Sequence, residues 1–271
     1  MTAPTAAPTY EIFAVKYGER VGTRGAIFIG GDPHDAPLAM DYYVWAIRNG
    51  ERTVIVDTGF SRDEGERRGR IMTQSPDEGL RRVGIEPNDV QDVIISHMHY
   101  DHAGNLDLFP NARFHLQTAE MAFATGRGIT FGVLGHSFTK EDALATLRAT
   151  FAYRVQYYSG DAEIAPGIAV HFIGGHAAGL QCVSVQTERG RVILAADAAH
   201  YYESFLEEPS FTTHVHMSGM LEGYRTLRRL APSDAHIVPG HDPLVLRRYP
   251  AAAPGLDGIA VRVDRPEQAD A

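Results

Sequence analysis

The segment His97-Met98-His99-Tyr100-Asp101-His102 contains four side chains that commonly bind metal ions. It directly follows the apolar run Val93-Ile94-Ile95, which is typical of a buried strand. Imidazole nitrogens and carboxylate oxygens are ligands that suit zinc and similar divalent ions. Because neighbouring side chains diverge where a strand ends, one such segment could supply ligands to two ions. The spacing therefore predicts a metal site at the tip of this strand.

Three further candidate ligands follow strand-like segments later in the chain. His176 lies in Gly174-Gly175-His176, Asp197 follows the run 192–196, and His241 lies in Pro239-Gly240-His241. Each is a ligand-type residue at the carboxyl end of an apolar run. The flanking glycines allow the backbone to turn sharply, so we expect these side chains to reach a shared centre.

The elements that must position these residues are predicted strands in two blocks, each accompanied by helices. The first block comprises 10–15, 26–29, 42–47, 52–56 and 92–96, and the second comprises 154–158, 168–173, 181–186, 192–196 and 235–238. The capping box Ser75-Pro76-Asp77-Glu78 predicts a helix start, and Leu221, Tyr224 and Leu227 share one face of a helix at 219–230. A helical insertion is predicted at about 118–150, over the site, and the tail after Pro250 is expected to be loosely held.

Composition excludes several classes of function. The 271 residues are 44% hydrophobic and 22% charged, with a net charge of -9, so a nucleic-acid partner is not expected. Arg67, Arg68 and Arg70, flanked by Glu64 and Glu66, are interpreted as a solvated loop. No apolar run has the length of a membrane span. The start, Met1 to Pro8, lacks a secretory pattern, which predicts a cytoplasmic location. The single cysteine, Cys182, excludes an internal disulfide framework.

These motifs together resemble the metallo-β-lactamase superfamily, and among its members the acyl-homoserine lactonase group. The matching residues are His97, His99, Asp101, His102, His176, Asp197 and His241, with Asp57-Thr58-Gly59 upstream. The resemblance implies an α+β fold, a four-layer αββα sandwich, formed by residues 1–271 as a single domain.

The resemblance also implies two divalent ions, most simply Zn²⁺. It assigns His97, His99 and His176 to one ion, Asp101, His102 and His241 to the other, and Asp197 to both. The implied reaction is the opening of a lactone ring by attack of a metal-bridging hydroxide, with Asp101 protonating the leaving alkoxide. Bridging by Asp197 argues against antibiotic hydrolysis, since true β-lactamases of the superfamily lack that carboxylate.

One position departs from the lactonase pattern. Lactonases of this group usually carry a tyrosine three residues after the bridging aspartate, whereas this chain has His200, followed by Tyr201. His200 or Tyr201 could assist at the developing oxyanion, or His200 could only pack beside the site. Phe123, Phe131, Leu134 and Phe138 of the insertion could form an acyl pocket or pack beneath the insertion.

Alternatives to a lactonase remain at this stage. A glyoxalase II-like thioesterase would use the same metal core, and a metal-binding ligand sensor would carry out no turnover. The predicted partner in each case is a small molecule, a lactone or an ester for the hydrolases. The residues leave the metal, the acyl chain and the oligomeric state open.

Overall fold

The computed structural model describes residues 7–30 and 36–268. Its strands are β1 (Glu11–Thr23), β2 (Pro37–Arg48), β3 (Thr53–Val56), β4 (Ile71–Met72), β5 (Asp92–Ile94), β6 (Arg113–Gln117), β7 (Val155–Tyr158), β8 (Ala162–Ala165), β9 (Ile168–Phe172), β10 (Gln181–Thr187), β11 (Gly190–Leu194), β12 (Ile237–Val238) and β13 (Ala260–Arg262). Its α-helices are α1 (Arg24–Ile27), α2 (Arg62–Arg67), α3 (Pro76–Arg82), α4 (Thr118–Ala124), α5 (Gly132–Gly135), α6 (Lys140–Phe151), α7 (Tyr202–Leu206), α8 (Met217–Leu230) and α9 (Leu244–Arg248).

The strands form two sheets. The first has the order β13-β1-β2-β3-β5-β6-β7, with β4 paired to β1, and the second has the order β12-β11-β10-β9-β8. Strands β3, β5, β6 and β7 are parallel, so the carboxyl ends of β3 and β5 lie side by side. This arrangement brings Asp57, which follows β3, next to the histidine segment that follows β5. The predicted α+β class with two sheets is confirmed.

The core lies around the central strand β2. All residues from Met40 to Ile47 are buried, on both faces of the strand, as expected for a strand covered on each side. Val183 and Val185 of β10 are fully buried in the second sheet. Helices α3, α4 and α6 contact strands of the first sheet, whereas α8 contacts α7 and the turn at 196–198 that follows β11.

Local sequence signals place several helix ends correctly. Ser75 and Glu78 form the predicted capping box of α3, and the Thr139 side chain accepts a hydrogen bond from the Asp142 backbone at the start of α6. Helix α8 ends at Leu230 as predicted but begins two residues early, at Met217. Every helix within 7–30 and 36–268 is too short or too polar to cross a bilayer.

Three predicted features are wrong. Residues 154–158, grouped with the second block of strands, form β7 of the first sheet, where they pair with β6. Residues 26–29 are not a strand, because Thr23 caps a single helical turn there and Phe28 forms only an isolated bridge with Phe211. The tail after Pro250 is not loose over its described part. Strand β13 pairs with β1, and Asp264 Oδ1 accepts a hydrogen bond from the Ile12 backbone (2.9 Å). The tail therefore covers β1, which would otherwise be an exposed edge strand with unpaired backbone groups.

Candidate metal centre

The predicted ligands converge at one edge of the two sheets. His97, His99, Asp101 and His102 lie in the loop after β5, and His176 follows β9. Asp197 lies in a short 3₁₀ turn, Ala196–Ala198, after β11, and His241 follows β12. All seven side chains are buried, and Asp101 is the most exposed at 8%.

Asp197 lies between two groups of histidines. Its Oδ2 is 3.1 Å from His176 Nε2 and 3.8 Å from His97 Nε2. Its Oδ1 is 2.9 Å from His241 Nε2 and 3.2 Å from His102 Nε2. Each oxygen of one carboxylate thus faces a different half of the ligand set, which is the arrangement that a bridging ligand requires.

The donor atoms fit two cations. Ligand atoms of His97, His99, His176 and Asp197 lie within 4.8 Å of one another, as do those of Asp101, His102 and His241. Three of the inward-facing atoms, His97 Nε2, His102 Nε2 and Asp197 Oδ1, are buried and make no hydrogen bond to the described residues. Burying polar atoms without a hydrogen-bond partner costs free energy of folding. A cation would satisfy these atoms, because it binds both imidazole nitrogens and carboxylate oxygens.

The electrostatics favour the forms that bind metal. Burial and the neighbouring histidines lower the pKa of His97 and His99 well below the usual range, so both imidazoles are neutral. Burial alone would raise the pKa of Asp197, but His241, His102 and His200 hold it well below its usual value. Burial also opposes protonation of His102, yet Asp197, Asp57 and Asp101 raise its pKa. A bound cation would displace that proton.

Hydrogen bonds to the outer ring nitrogens fix the orientation of three ligands. His102 Nδ1 donates to Asp57 Oδ2 (2.7 Å), as expected for a carboxylate that orients a ligand histidine. His176 Nδ1 donates to the Thr213 carbonyl oxygen, and His241 Nδ1 donates to the Asp41 carbonyl oxygen, both at 2.8 Å. In the neutral imidazole each contact keeps the proton on Nδ1 and directs the lone pair of Nε2 at the centre, and a bound cation would displace any second proton.

Two non-glycine residues beside the ligands adopt left-handed backbone conformations. Asp57 has φ 63°, and Ala196, which precedes Asp197, has φ 47°. Such conformations are unfavourable for residues with a Cβ and concentrate at functional sites. The Asp57 side chain is held by Ser96, whose N–H and hydroxyl both donate to the Asp57 carboxylate (2.7 and 2.8 Å).

Glu120 is a supporting residue that the sequence did not reveal. It is fully buried in α4, where Oε1 accepts from the Met98 backbone (2.9 Å) and Oε2 accepts from the Gly179 backbone (2.6 Å). It therefore joins the loop of His97 and His99 to the loop that follows His176. A lone glutamate in a predicted helix carries no local signal for such a role.

His200 and Tyr201, the two residues predicted to assist at the oxyanion, point in different directions. His200 lines the cavity, and its Nε2 donates to Asp197 Oδ2 (2.8 Å) while its ring packs against Phe211. The prediction that Tyr201 assists at the oxyanion is wrong. Its hydroxyl donates to the Ala39 carbonyl oxygen (3.1 Å), and its side chain lines a separate hollow with Leu38. The chain direction at α7 turns this side chain away from the centre.

A cavity of about 250 Å³ opens above the centre. None of the four aromatic and aliphatic residues suggested for an acyl pocket lines it. Phe138 packs against His99 and Phe123, while Phe131 is 48% exposed, so packing is the better account of the buried pair. The insertion contributes His136 and Ser137 to the cavity instead.

The basic cluster is not simply a solvated loop. Arg68 and Arg70 line the cavity, as does Arg20 from β1, whereas Arg67 pairs with Glu64 at the surface. The sequence interpretation failed because the return of β4 to β1 folds this loop over the metal centre.

Comparison with known proteins gives the family. Residues 40–241 match the family model of the metallo-beta-lactamase superfamily. The chain belongs to this superfamily. The match begins in β2 and ends at the last ligand, His241, so it spans the whole ligand set.

Two relatives within the superfamily carry lactonase names. An N-acyl homoserine lactonase of Bacillus cereus is 30% identical over 189 residues, which cover 64% of this chain and 70% of the relative. The N-acyl homoserine lactonase AttM of Azorhizobium caulinodans is 32% identical over 179 residues, which cover 62% and 65% of the two chains.

Solved structures share the superfamily fold over most of the chain. A quorum-quenching N-acyl homoserine lactone lactonase superposes with a TM-score of 0.73 at 25% identity, covering 87% of this chain and 94% of that chain. A probable metal-dependent hydrolase from Staphylococcus aureus also gives a TM-score of 0.73, at 16% identity, covering 98% and 97%. The metallo-β-lactamase fold predicted from the motifs is confirmed.

Proposed function

We propose that this protein is a dinuclear metal-dependent hydrolase that opens a lactone ring, a carboxylic ester hydrolase. The observation that carries the proposal is the position of Asp197, with one oxygen toward each half of a His and Asp ligand set. The relatives named N-acyl homoserine lactonases support the choice of a lactone as substrate. N-acyl homoserine lactones are therefore the first compounds to test.

The proposed ligands follow the two halves of the site. His97, His99 and His176 would hold one ion and Asp101, His102 and His241 the other, with Asp197 shared. A donor set of imidazoles and carboxylates without thiolates accepts Zn²⁺, which we propose, although manganese, iron and cobalt suit it too. When bound, such ions polarise a carbonyl group and make a water molecule reactive at neutral pH.

The side chains of the protein would orient and protonate the substrate. Asp101 lines the cavity, with its carboxylate oxygens 3.9 Å from His102 Nε2 and 4.0 Å from His241 Nε2. We propose that this carboxylate accepts the proton released by the attacking water and then delivers it to the leaving alkoxide oxygen. The single N–H of neutral His200 donates to Asp197 Oδ2, so its predicted role as donor to the carbonyl oxygen requires that this bond be released. A comparison of His200→Gln with His200→Phe on one lactone would test the prediction.

The remaining expectations belong to the same proposal. We treat residues 1–271 as one metallo-hydrolase domain in which the helices at about 118–150 are an insertion over the site. A cytoplasmic location, and a small-molecule lactone or ester as substrate without a nucleic-acid or membrane partner, are further parts of the proposal, which leaves the oligomeric state open. None of these bears on how the ring is opened.

The test measures metal content and ring opening on the same samples. Wild-type protein should contain two ions per chain and release acid from N-acyl homoserine lactones or simple lactones. His99→Ala and Asp197→Ala should lose metal and lower kcat/KM on the order of a thousandfold. His236→Ala, a histidine bonded to Ser233 and the Arg189 carbonyl outside the cavity, is the matched control. Full activity in either ligand variant would refute the proposal, and turnover of thioesters alone would favour the thioesterase alternative.

A further inference from the structure

The cavity above the metal centre is cationic, although the whole chain has a net charge of -9. Arg20, Arg68 and Arg70 line it. The described carboxylates that line it are Asp101 and Asp197, and both face the proposed ions. Both described carboxylates of the cavity are therefore assigned to metal binding, and neither is left to neutralise the arginines.

The three guanidinium groups differ in how they are paired. Arg68 forms a salt bridge with Glu64, and its Nη2 donates to the His136 carbonyl oxygen (2.7 Å). Arg70 donates from Nε to the Tyr100 hydroxyl and from Nη1 to the Arg68 carbonyl, both at 2.9 Å. Within the described part of the chain, the guanidinium of Arg20 hydrogen-bonds only to the sulfur of Met40 (3.3 Å). Among the same residues, no carboxylate lies within 4 Å of Arg20 or Arg70.

Both of these arginines lie close to the metal ligands. Tyr42 packs edge-on against His241, with the ring centroids 5.2 Å apart, and its hydroxyl is 3.3 Å from that of Tyr100. Antiparallel pairing of β1 with β4 sets Glu19 opposite Ile71, so Arg20 and Arg70 are the next residues along the two chain segments, and both line the cavity beside these tyrosines. Arg70 also donates to the Tyr100 hydroxyl (2.9 Å). Cations held this close to a second cationic centre repel one another, and an anion between them would relieve the repulsion.

The size of the cavity limits what the anion can belong to. Its volume of about 250 Å³ lies below the range of about 300–1,000 Å³ that is typical of sites for drug-sized ligands. Its apolar lining is confined to a few side chains such as Ile27, Met40 and Phe211. A short, polar molecule suits this cavity better than a long alkyl chain.

We propose that Arg20 and Arg70 bind an oxyanionic group, a carboxylate or a phosphonate, carried by the lactone substrate. Guanidinium groups match the planar and tetrahedral oxygens of these anions with paired N–H donors. The inference rests on the proposed lactonase function, because it identifies the class of lactone that the site accepts. It predicts that an anionic lactone is preferred to a neutral one of the same size.

The experiment compares matched substrates on metal-loaded enzyme. The probes are a five-membered lactone bearing a ring carboxylate, its neutral carboxamide, and the corresponding phosphonate. Wild-type kcat/KM should favour the carboxylate or the phosphonate over the carboxamide by about tenfold to a hundredfold, and added salt should shrink that ratio. Which of the two anions is preferred identifies the source of the charge.

Variants assign the preference to residues. Arg20→Gln should raise KM for the anionic lactone far more than for the carboxamide, and Arg20→Lys should restore part of the preference. Arg70→Gln should do the same with an added loss in kcat, because Arg70 also holds Tyr100. Arg225→Gln, a matched loss of an arginine that is 61% exposed on α8, should leave every ratio unchanged.

Binding gives a readout that is independent of turnover. Calorimetry should show that the ring-opened dianion binds wild-type enzyme about tenfold or more tightly than the ring-opened carboxamide, with the difference lost in Arg20→Gln. Equal wild-type kcat/KM for the charged and neutral lactones, or an equal loss on both in Arg20→Gln, would overturn the inference. Absence of any lactone turnover would instead refute the proposed function, and the calorimetry would still decide whether the arginines bind an anion.

Discussion

Grouped by the loops that carry them, the ligands form a first half, the loop of residues 97–102, and a second half, the loops of His176, Asp197 and His241, and each proposed ion takes ligands from both halves. The two halves are built by different means. His97, His99, Asp101 and His102 come from one loop, and buried carboxylates hold that loop through Asp57 and Glu120. The other ligands come from three separate loops of the second sheet. Glu120 reaches one of those loops through the Gly179 backbone, but His176 and His241 are themselves held by backbone carbonyls. The packing there is close, as at Gly175, where a Cβ would lie 2.2 Å from the Met220 backbone nitrogen. The first half should therefore be sensitive to charge and the second to shape.

The largest effect should come from crowding the second half. Gly175 has φ 79° and meets the start of α8, so Gly175→Ala adds both backbone strain and overlap with Met220. We expect unfolding free energy to fall by about 2–4 kcal/mol, and metal binding at the His176 side to weaken. Denaturant titration with metal quantification on the refolded protein measures both.

A matched glycine separates strain from overlap. Gly255 has φ 82°, but a Cβ added there would meet no described atom within 4 Å, so Gly255→Ala suffers only the backbone penalty. It should lose about 1–2 kcal/mol and keep its metal. Equal losses in the two variants would mean that packing against α8 does not position His176.

A smaller effect should come from removing charge in the first half. Asp57→Asn replaces an acceptor oxygen with an N–H donor opposite His102 Nδ1 and the Ser96 hydroxyl. His102 then keeps its proton on Nε2, the atom that faces the centre. Affinity for the ion on the side of Asp101 and His241 should fall about 10–100-fold, while the ion held by His97 and His176 is retained.

Graded chelation followed by metal analysis would resolve the two ions. We expect Asp57→Asn to lose its two ions one after the other. At the same chelator concentration the wild type should lose its ions in a single step or not at all. Simultaneous loss of both ions would show that Asp57 does not act through His102 alone, and the sensitivity to charge would then not be a property of the first half.

The same difference explains what could be predicted from the sequence. The first half is local, so its spacing and the preceding strand were sufficient to predict it. His176, Asp197 and His241 were found because each follows an apolar run, but their convergence depends on the pairing of β9, β10, β11 and β12. The family resemblance supplied that pairing, and composition alone did not.

Features that depend on the path of a loop escaped prediction. Arg68 and Arg70 looked like surface charges because the sequence does not show that β4 returns to β1 beside the cavity. Tyr201 looked like a replacement for a catalytic tyrosine, although the start of α7 turns it toward Ala39. Glu120 accepts hydrogen bonds from residues 22 and 59 positions away, which no local pattern records.

Asp142 provides a contrast with Asp57, because none of the described residues forms a salt bridge with it, and the Thr139 side chain and Arg68 only partly oppose the effect of its burial. Burial raises the pKa of this carboxyl to about 7, and Glu64 and Glu141 add to the rise. An acid whose pKa is raised on folding contributes full stability below its unfolded pKa and loses that contribution as pH rises through its folded pKa. The loss therefore develops between the unfolded value of 3.8 and about pH 7.

Asp142→Asn should remove this pH dependence. We expect the variant to match the wild type near about pH 4 and to exceed it by about 1–3 kcal/mol near about pH 8.5. Comparing variant with wild type at each pH cancels the titration of the metal ligands, which both proteins share. Glu222→Gln, with a side chain 62% exposed on α8, is the control and should show no such trend, because Glu222 is not among the groups that shift the pKa of Asp142. A pH-independent difference for Asp142→Asn would mean that water reaches this carboxyl, and that burial without a partner does not distinguish it from Asp57.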